Sequence, residues 1–393
     1  MKILTIGASP TLYTSCGRLH ADIIRHLSQS NEVASAVYDH DVKYFLPEQT
    51  ANGPAWFHEV DGRKIPLVPF LRNGGKYPAS VYLFEVVKAN KPDVILTIGP
   101  LEHFAFIPAI RSLLEGCGRW VAVCTNHPES ICGEIRKMAS EADSVLCTSR
   151  AAYEAMADVA GGGWHHVGTG LWLPEKAQSV SGRVVCIARN SFEECPIAVM
   201  DAFRMLSGSS TLYLHTNLND RGYYDLASMR KDMDPLEEYI FLPSEFSSVI
   251  DGYRDDMLAS EMSMCEVVVR AGASSGTAMS LFDAMACGCT PVVADHGCDS
   301  EVARDASAEG IECFLYPATA AWGQAGERIF FPRSSDIAVA VKKASEACRN
   351  NDWKAGQTAK ISKFIEKRGR SGFLSRVVEM LHGPAGRQTL SLL

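Results

Sequence analysis

The chain alternates short runs that are apolar on both faces with longer stretches whose apolar residues recur every three or four positions. KILTIGA (Lys2 to Ala8), EVASAVYD, DVILTIG (Asp93 to Gly99), WVAVCTN (Trp120 to Asn126) and DSVLCTS are runs of the first kind. Strands apolar throughout belong to parallel sheets covered by helices on both sides. RLHADIIRHLS, VYLFEVVKANKP, FAFIPAIRSLLEG, ICGEIRKMASEA and RAAYEAMADVAG lie between them and carry helical periodicity. His40 to Gly75 reads as short strands and loops. Glycines and prolines from Gly161 to Gly182 interrupt the alternation and mark a linker. The pattern then restarts with RVVCIAR, CPIAVMDAFRML, STLYLHT, YDLASMRKDM, YIFLP, DDMLASEM, CEVVVR, a helix from Met279 to Met285, and PVVAD. IAVAVKKASEACRN and KISKFIEKRGRSGFLSRVVEMLHG are helical, and PAGRQTLSLL reads as a loose tail. The expected fold class is α/β, with two Rossmann-like, doubly wound parallel-sheet domains facing a central cleft. Residues 1-165 and 180-345 form the domains, and residues 346-393 the C-terminal helices and tail.

Composition narrows the classes. At 393 residues, with 47% hydrophobic and 21% charged positions, the chain suits two domains of roughly 150 to 200 residues. A net charge of −8 argues against a generally basic nucleic-acid-binding surface. No apolar run approaches the ~20 residues that span a bilayer. MKILTIGASP goes straight into a strand, so no signal peptide is expected. The thirteen cysteines are scattered without a C-x-x-C pair, as expected of reduced thiols in a cytoplasmic protein. No G-x-G-x-x-G follows the first strand and no P-loop occurs, which removes the usual support for nicotinamide or ATP binding.

Chemistry concentrates in RAGASSGTAMSLFDAMACGCTPVVA, Arg270 to Ala294. A strand ends, a loop of small residues follows, a helix begins and stops near Gly288, and a buried strand opens at Pro291. A Gly/Ser/Thr loop at a helix N-terminus presents unpaired backbone N–H groups and the positive end of the helix dipole, a seat for phosphate or sugar hydroxyls. Asp283 lies eight residues after Ser275, on roughly the same face. The bland alternative is an ordinary helix–strand unit.

DAMACGCTPVVA resembles the signature of retaining glycosyltransferases of family 4, which have the GT-B fold. That family carries two glutamates in an E-x7-E spacing; here the positions hold Ser275 and Asp283. The resemblance implies that Asp283 holds the ribose of a nucleotide-sugar and that Ser275 stands near the transferred sugar. VVCIARNSFEECPIAVMDAF is similar to the opening of the family's donor-binding domain. Arg189 then corresponds to an arginine clamping the diphosphate, a task suited to its two parallel donors. The family's lysine five residues on is replaced by Glu194, beside Glu193. Either the loop turns these acids outward, another cation substitutes, or the diphosphate is held weakly. Gly276 and Thr277 would offer backbone N–H groups to the diphosphate. Gly17, in TSCGRLHADIIRHL, would let a diphosphate or acceptor approach, or simply permits a strand–helix turn. His127 corresponds to a histidine touching the transferred sugar, and the last helix, 360-382, would return to the first domain. ADSVLCTSRAAYEAM and WHHVGTGL look like fold markers of the same family.

His103, after the previous strand, is a candidate acceptor contact, and His215 and Asn217 are candidate contacts near the nucleotide. Glu301 resembles a family glutamate after the last core strand. No metal or other cofactor is expected. DHD (Asp39 to Asp41) is a polar turn after a strand, and adjacent His165 and His166 make a poor metal face. The expected activity is retaining hexosyl transfer from an NDP-sugar, UDP favoured, to a hydroxyl acceptor: a glycan, lipid-linked sugar, small molecule or modified DNA base. Helix dipole and cationic side chains would stabilise the leaving diphosphate. A catalytically impaired GT-B subunit binding sugar or a partner chain is the alternative, prompted by Ser275 and Glu194. A nucleotide-sugar epimerase is a third reading. The basic stretch KISKFIEKRGRSGFLSR could meet DNA or an anionic membrane surface, or be a solvated amphipathic helix.

Overall fold

The structure, a computed structural model, describes residues 1–10, 15–38, 47–51, 53–70, 78–114, 116, 118–159, 162–167, 179–206, 208–216, 218, 224–243, 255–272, 277–322 and 328–382. The DHD turn and the PAGRQTLSLL tail lie outside these residues. The chain divides into two compact units, Met1–His165 with Ser371–Leu393, and His166–Arg370.

The first unit is built on β1 (Lys2–Ala8), α1 (Ser15–Leu27), β2 (Glu32–Tyr38), β3 (Glu48–Thr50), β4 (Gly53–Val60), β5 (Arg63–Pro69), α2 (Pro78–Asn90), β6 (Val94–Gly99), α3 (Ile107–Leu113), β7 (Arg119–Cys124), α4 (Gly133–Glu141), β8 (Ser144–Cys147) and α5 (Arg150–Glu154). Its sheet runs β3-β4-β5-β2-β1-β6-β7-β8. β4 pairs antiparallel with both β3 and β5, and the other pairings are parallel. The central strands are apolar on both faces because both are covered: Leu4, Ile6, Ile95, Trp120 and Ala122 share one core, while Ile3, Ile23, Ile24 and Ile98 are buried outside it.

α1 is anchored to β1 by a buried side chain. His20 lies 2.7 Å from the Ala8 carbonyl through Nδ1, and its Nε2 meets Thr5 Oγ1 at 2.8 Å and Ser35 Oγ at 3.2 Å. A carbonyl only accepts, so Nδ1 carries the proton and Nε2 accepts from the hydroxyls. Gly7 is what lets the ring come this close. A Cβ there would stand 2.9 Å from His20 Nδ1 and 3.0 Å from the Ile98 carbonyl oxygen.

The helix expected over RAAYEAMADVAG stops at Glu154. Beyond it the chain tightens into turns, with Met156 N–H bonded to Tyr153 O and Val159 N–H to Met156 O. Turning here allows Trp164 to bridge to Cys147, flanked by hydrogen bonds from Cys147 to Gly163 and from His165 to Cys147.

The second unit contains β9 (Arg183–Ile187), α6 (Pro196–Leu206), β10 (Thr211–His215), α7 (Leu226–Met233), β11 (Ile240–Phe241), α8 (Asp255–Ser263), β12 (Val267–Arg270), α9 (Met279–Ala286), β13 (Thr290–Ala294), α10 (Gly297–Ala308), β14 (Phe314–Tyr316), β15 (Ala318–Trp322), β16 (Arg328–Pro332), α11 (Ser334–Cys348) and α12 (Asn351–Lys367). Its sheet is parallel in the order β11-β10-β9-β12-β13-β14. α6 and α11 contribute to the core on one face; α8, α9, α10 and α12 cover the other. Phe282 of α9 stacks on Phe364 of α12 at 6.0 Å. Lys354 of α12 meets Glu266 at 2.7 Å, and the second Glu266 oxygen accepts from Gly182 N–H at 2.9 Å. The antiparallel hairpin β15–β16 has no counterpart in the sequence reading, although Pro317 separates it from β14 and Gly323 and Gly326 lie between its strands in the sequence.

α13 (Arg370–His382) falls largely in the first unit, where Phe373 lies edge-on to His165 and Arg119 donates to the Met380 carbonyl.

Burial, opposed by the Ala8 hydrogen bond, lowers the His20 pKa from 6.5 to about 4. The folded value is depressed, so this stabilisation is complete above pH 6.5 and is lost as pH falls through 4. The shift corresponds to roughly 3 kcal/mol. His20→Gln keeps a donor and an acceptor in place, and its melting temperature should fall less than the wild type's across that window. Superimposable pH profiles for the two proteins would refute the assignment.

Candidate functional site

In an open parallel sheet, ligands settle at the carboxyl edge where the strand order reverses. In the second unit β9, β10 and β11 proceed in one direction and β12, β13 and β14 in the other, so the reversal lies between β9 and β12. Ala188 to Ser191 leave β9 there and Ala271 to Gly272 leave β12.

A buried ion cluster closes this seam. Arg270, last residue of β12 and 5% exposed, donates through Nε to Asp299 Oδ2 at 3.2 Å. Its Nη2 lies 3.5 Å from Glu194 Oε2, and Nη1 bonds to the Ile187 carbonyl. The Arg270 carbonyl accepts from Tyr316 Oη at 2.7 Å. One side chain thereby ties β9, the loop before α6, α10 and β14 to β12. Burial opposes the guanidinium charge, but Asp299 and Glu194 outweigh it and raise the pKa, so Arg270 stays charged. Burial raises the Asp299 carboxyl, with Arg270 opposing and Glu194 adding to the rise. Cys186 beneath them is pushed up to about 12, chiefly by burial.

The cluster excludes one of the three alternatives left open for Glu194, that the loop turns this acid outward. The carboxylate turns inward beneath Gly272, where an added Cβ would stand 2.8 Å from Glu194 Oε2. Its main partner is Arg270, a residue that the sequence reading treated only as a strand end. Arg189 lies at the surface, its side chain 68% exposed and its Nε 3.7 Å from Glu194 Oε1. It is therefore an exposed cation beside an acid that shares Arg270 with Asp299. Glu194 is followed by Cys195 at φ 49, the left-handed conformation uncommon for a non-glycine residue.

The other candidates of this unit are distributed along the same edge. α9 begins after Ala278 with no side-chain hydrogen bond capping its N-terminus, and Thr277 is half-buried just before it. Asp283 is fully buried on α9. His215 ends β10 nearly buried, with Nε2 2.5 Å from Glu261 Oε2 of α8. Ser275, Gly276 and Asn217 lie outside the described residues. His296, which precedes α10, stacks on Phe330 of the hairpin at 4.5 Å. Burial lowers its pKa to about 4, with the nearby Gly272 backbone opposing, so the ring is neutral near pH 7.

In the first unit the strand order reverses between β1 and β6. Gly17 is buried in the first turn of α1. His103 follows β6 in the short 3-10 turn Leu101–Phe104, its ring edge-on to Tyr38 at 5.7 Å. His127 follows β7 half-buried; β6 and β7 are paired through Gly99 and Cys124, so both histidines stand at one edge. Asn126, which the sequence reading did not single out, organises that edge. Its Oδ1 accepts from Leu101 N–H at 2.7 Å and its Nδ2 donates to Glu102 Oε2 at 2.7 Å. His127 thus belongs to the first unit; Arg189, Thr277 and Asp283 belong to the second.

One further group departs from expectation. His165 and His166 part company: His165 meets Phe373, whereas His166 joins Cys298 and Glu301. The ligand atoms of these three lie within 4.8 Å of one another, among the described residues. Adjacency in sequence disfavoured a metal face at His165–His166, but says nothing about residues brought in by α10.

Arg270→Met should destabilise the protein by about 3–5 kcal/mol, because it leaves Glu194 and Asp299 buried against each other. Adding Glu194→Gln and Asp299→Asn should recover most of that loss in urea unfolding. Equal losses in the single and triple variants would show that the cost is packing rather than charge.

No protein-family model matches the sequence, and neither does any curated protein. Solved structures match over nearly the whole chain. HepE of Anabaena, in complex with UDP and glucose, superposes with a TM-score of 0.69 at 15% identity, covering 97% of this chain and 99% of that one. The sucrose-phosphate synthase of Thermosynechococcus elongatus gives 0.71 at 12% identity, covering 97% and 98%. The UDP-forming α,α-trehalose-phosphate synthase of Burkholderia xenovorans, in complex with glucose-6-phosphate, gives 0.67 at 9% identity, covering 98% and 100%. These neighbours are GT-B glycosyltransferases, and the two doubly wound sheets of this chain form the GT-B fold.

Proposed function

We propose that this chain is a nucleotide-sugar-dependent hexosyltransferase acting with retention of configuration and without a metal at the leaving group. The observation that carries the reading is the switch point of the second sheet. There, exposed Arg189 and the N-terminus of α9, without a side-chain cap, stand on a seam where buried Arg270 pairs with Glu194 and Asp299. The fold supports it, since neighbours of this architecture were solved with UDP and with UDP-glucose.

In this reading the donor diphosphate lies over the start of α9. The helix dipole, the first-turn N–H groups and the N–H of Thr277 just before them meet the β-phosphate, and Arg189 supplies a full charge. Both act more strongly as negative charge accumulates on the departing diphosphate, the condition for catalysis by charge stabilisation. Glu194 points inward toward Arg270, which it shares with Asp299, and so lies away from the diphosphate. The acceptor hydroxyl attacks from the face the diphosphate leaves, and the departing phosphate oxygen receives its proton. His127 and His103 are the candidate sugar and acceptor contacts of the first unit. Asp283 is the candidate ribose contact; enclosed as it is, it has to be uncovered before a hydroxyl can reach it.

That enclosure and the Ser275 and Glu194 replacements favour one second reading, a catalytically impaired GT-B subunit that binds sugar or a partner chain. No helix among the described residues is long and apolar enough to cross a membrane, and a cytoplasmic location with glycan, lipid-linked, small-molecule or DNA-base acceptors remains part of the proposal.

A metal-free screen of UDP-, GDP-, ADP- and dTDP-sugars separates the readings, scored by thermal shift and by slow release of nucleotide. One donor, a UDP-sugar, should both stabilise the protein and be hydrolysed. In Arg189→Ala, transfer should fall roughly 10- to 100-fold, the loss of a charge-assisted contact, with the melting temperature of the free protein unchanged. Unchanged turnover would remove Arg189 from the site, and silence toward every donor would favour the impaired subunit.

A further inference from the structure

The group formed by His166, Cys298 and Glu301 has no part in the transfer chemistry. We infer that His166, Cys298 and Glu301 form a structural site for a zinc-class divalent cation, which staples the start of the second unit to the first turn of α10.

The ligand set comes from two segments. Cys298 and Glu301 lie at i and i+3 near the start of α10, a spacing that puts both side chains on one face of a helix. His166 opens the second unit, with Phe282 walling its ring at 6.0 Å. Cys298 and His166 are buried and Glu301 is half-buried. Ligand atoms around a tetrahedral zinc stand roughly 3.5 Å apart, given bonds of about 2.0–2.3 Å. The three atoms, mutually within 4.8 Å, reach that geometry by small side-chain rotations.

Charge and chemistry agree with the assignment. A thiolate and a carboxylate supply two negative charges that neutralise a dication in a buried place, and the imidazole adds a neutral donor. Sulfur, nitrogen and oxygen together select a borderline-soft ion such as zinc over magnesium or calcium, which take oxygen alone. The imidazole is also oriented from behind. His166 Nε2 donates to Asp305 Oδ2 at 3.4 Å, and Arg368 holds the same carboxylate oxygen at 2.8 Å. A carboxylate behind the imidazole is the usual outer support of a zinc-bound histidine and directs ligation to Nδ1. Three protein ligands leave the fourth corner to water. Asp299, the partner of Arg270, lies between Cys298 and Glu301 on the same turn, so a cation here steadies the residue that closes the sheet seam.

The test uses the full chain, purified without a metal-binding tag, with zinc and cobalt ions alone as probes. Zinc should bind at one equivalent and raise the melting temperature. Cobalt should give a thiolate-to-metal charge-transfer band. Cys298→Ser should abolish the band and weaken zinc at least roughly tenfold, and Glu301→Gln should weaken zinc while keeping the band. Cys132→Ser, which removes an exposed cysteine, should leave both unchanged. A band that survives Cys298→Ser, or no zinc-induced stabilisation of the wild type, would overturn the inference. Nucleotide release from the donor screen is read separately, so a failure of the transferase reading leaves this result intact.

Discussion

The second unit depends on how one buried charge is satisfied. Arg270 ends a strand whose other residues are all valine, at the point where the sheet changes direction. An isolated guanidinium there would cost several kilocalories, whereas two carboxylates and a carbonyl make it a tie across the seam. Glu194 is best understood from this need. A lysine at its position would face Arg270 across a dry gap, and the acid removes that repulsion while leaving Arg189 at the surface. Arg189 thus stands exposed above a buried cluster of one guanidinium and two carboxylates.

The first unit meets the corresponding demand without ions. At the edge of β1, His20 joins the Ala8 carbonyl to the hydroxyls of Thr5 and Ser35, in a network that is neutral when folded. The two units thus answer acidification differently. The histidine, lowered to about 4, stays neutral until the pH is well below its ordinary range, while the seam keeps its arginine charged but depends on carboxylates, of which burial raises Asp299. Each arrangement positions the turn that leaves the central strand, and each turn carries candidate binding residues.

Much of the architecture was legible in the sequence. Runs such as VILTIG and VVVR, apolar on both faces, state that helices cover both sides of a parallel sheet, and the breaks between them locate the helices. The site was legible in outline, since strand ends and a glycine-rich helix entrance mark the carboxyl edge. Asn126 and Glu102 were not, because nothing local distinguishes a polar residue that bonds a neighbouring loop from one that faces water. The β15–β16 hairpin escaped for a related reason: its strands are short, and its aromatic residues pair with His296 and Phe192 rather than with a periodic face of their own.

Sequence alone determined the order of elements and the class of fold, because burial imposes a period of its own on each strand and helix. Tertiary structure decided where the charges went. Whether Glu194 faces a ligand or Arg270 depends on β9 lying beside β12, and whether His166 faces solvent or Cys298 depends on where α10 begins. Hydrophobic periodicity is a local property of the chain. The pairing of buried polar groups is set by which distant segments meet, and a favourable partner becomes identifiable only when the sheet has assembled.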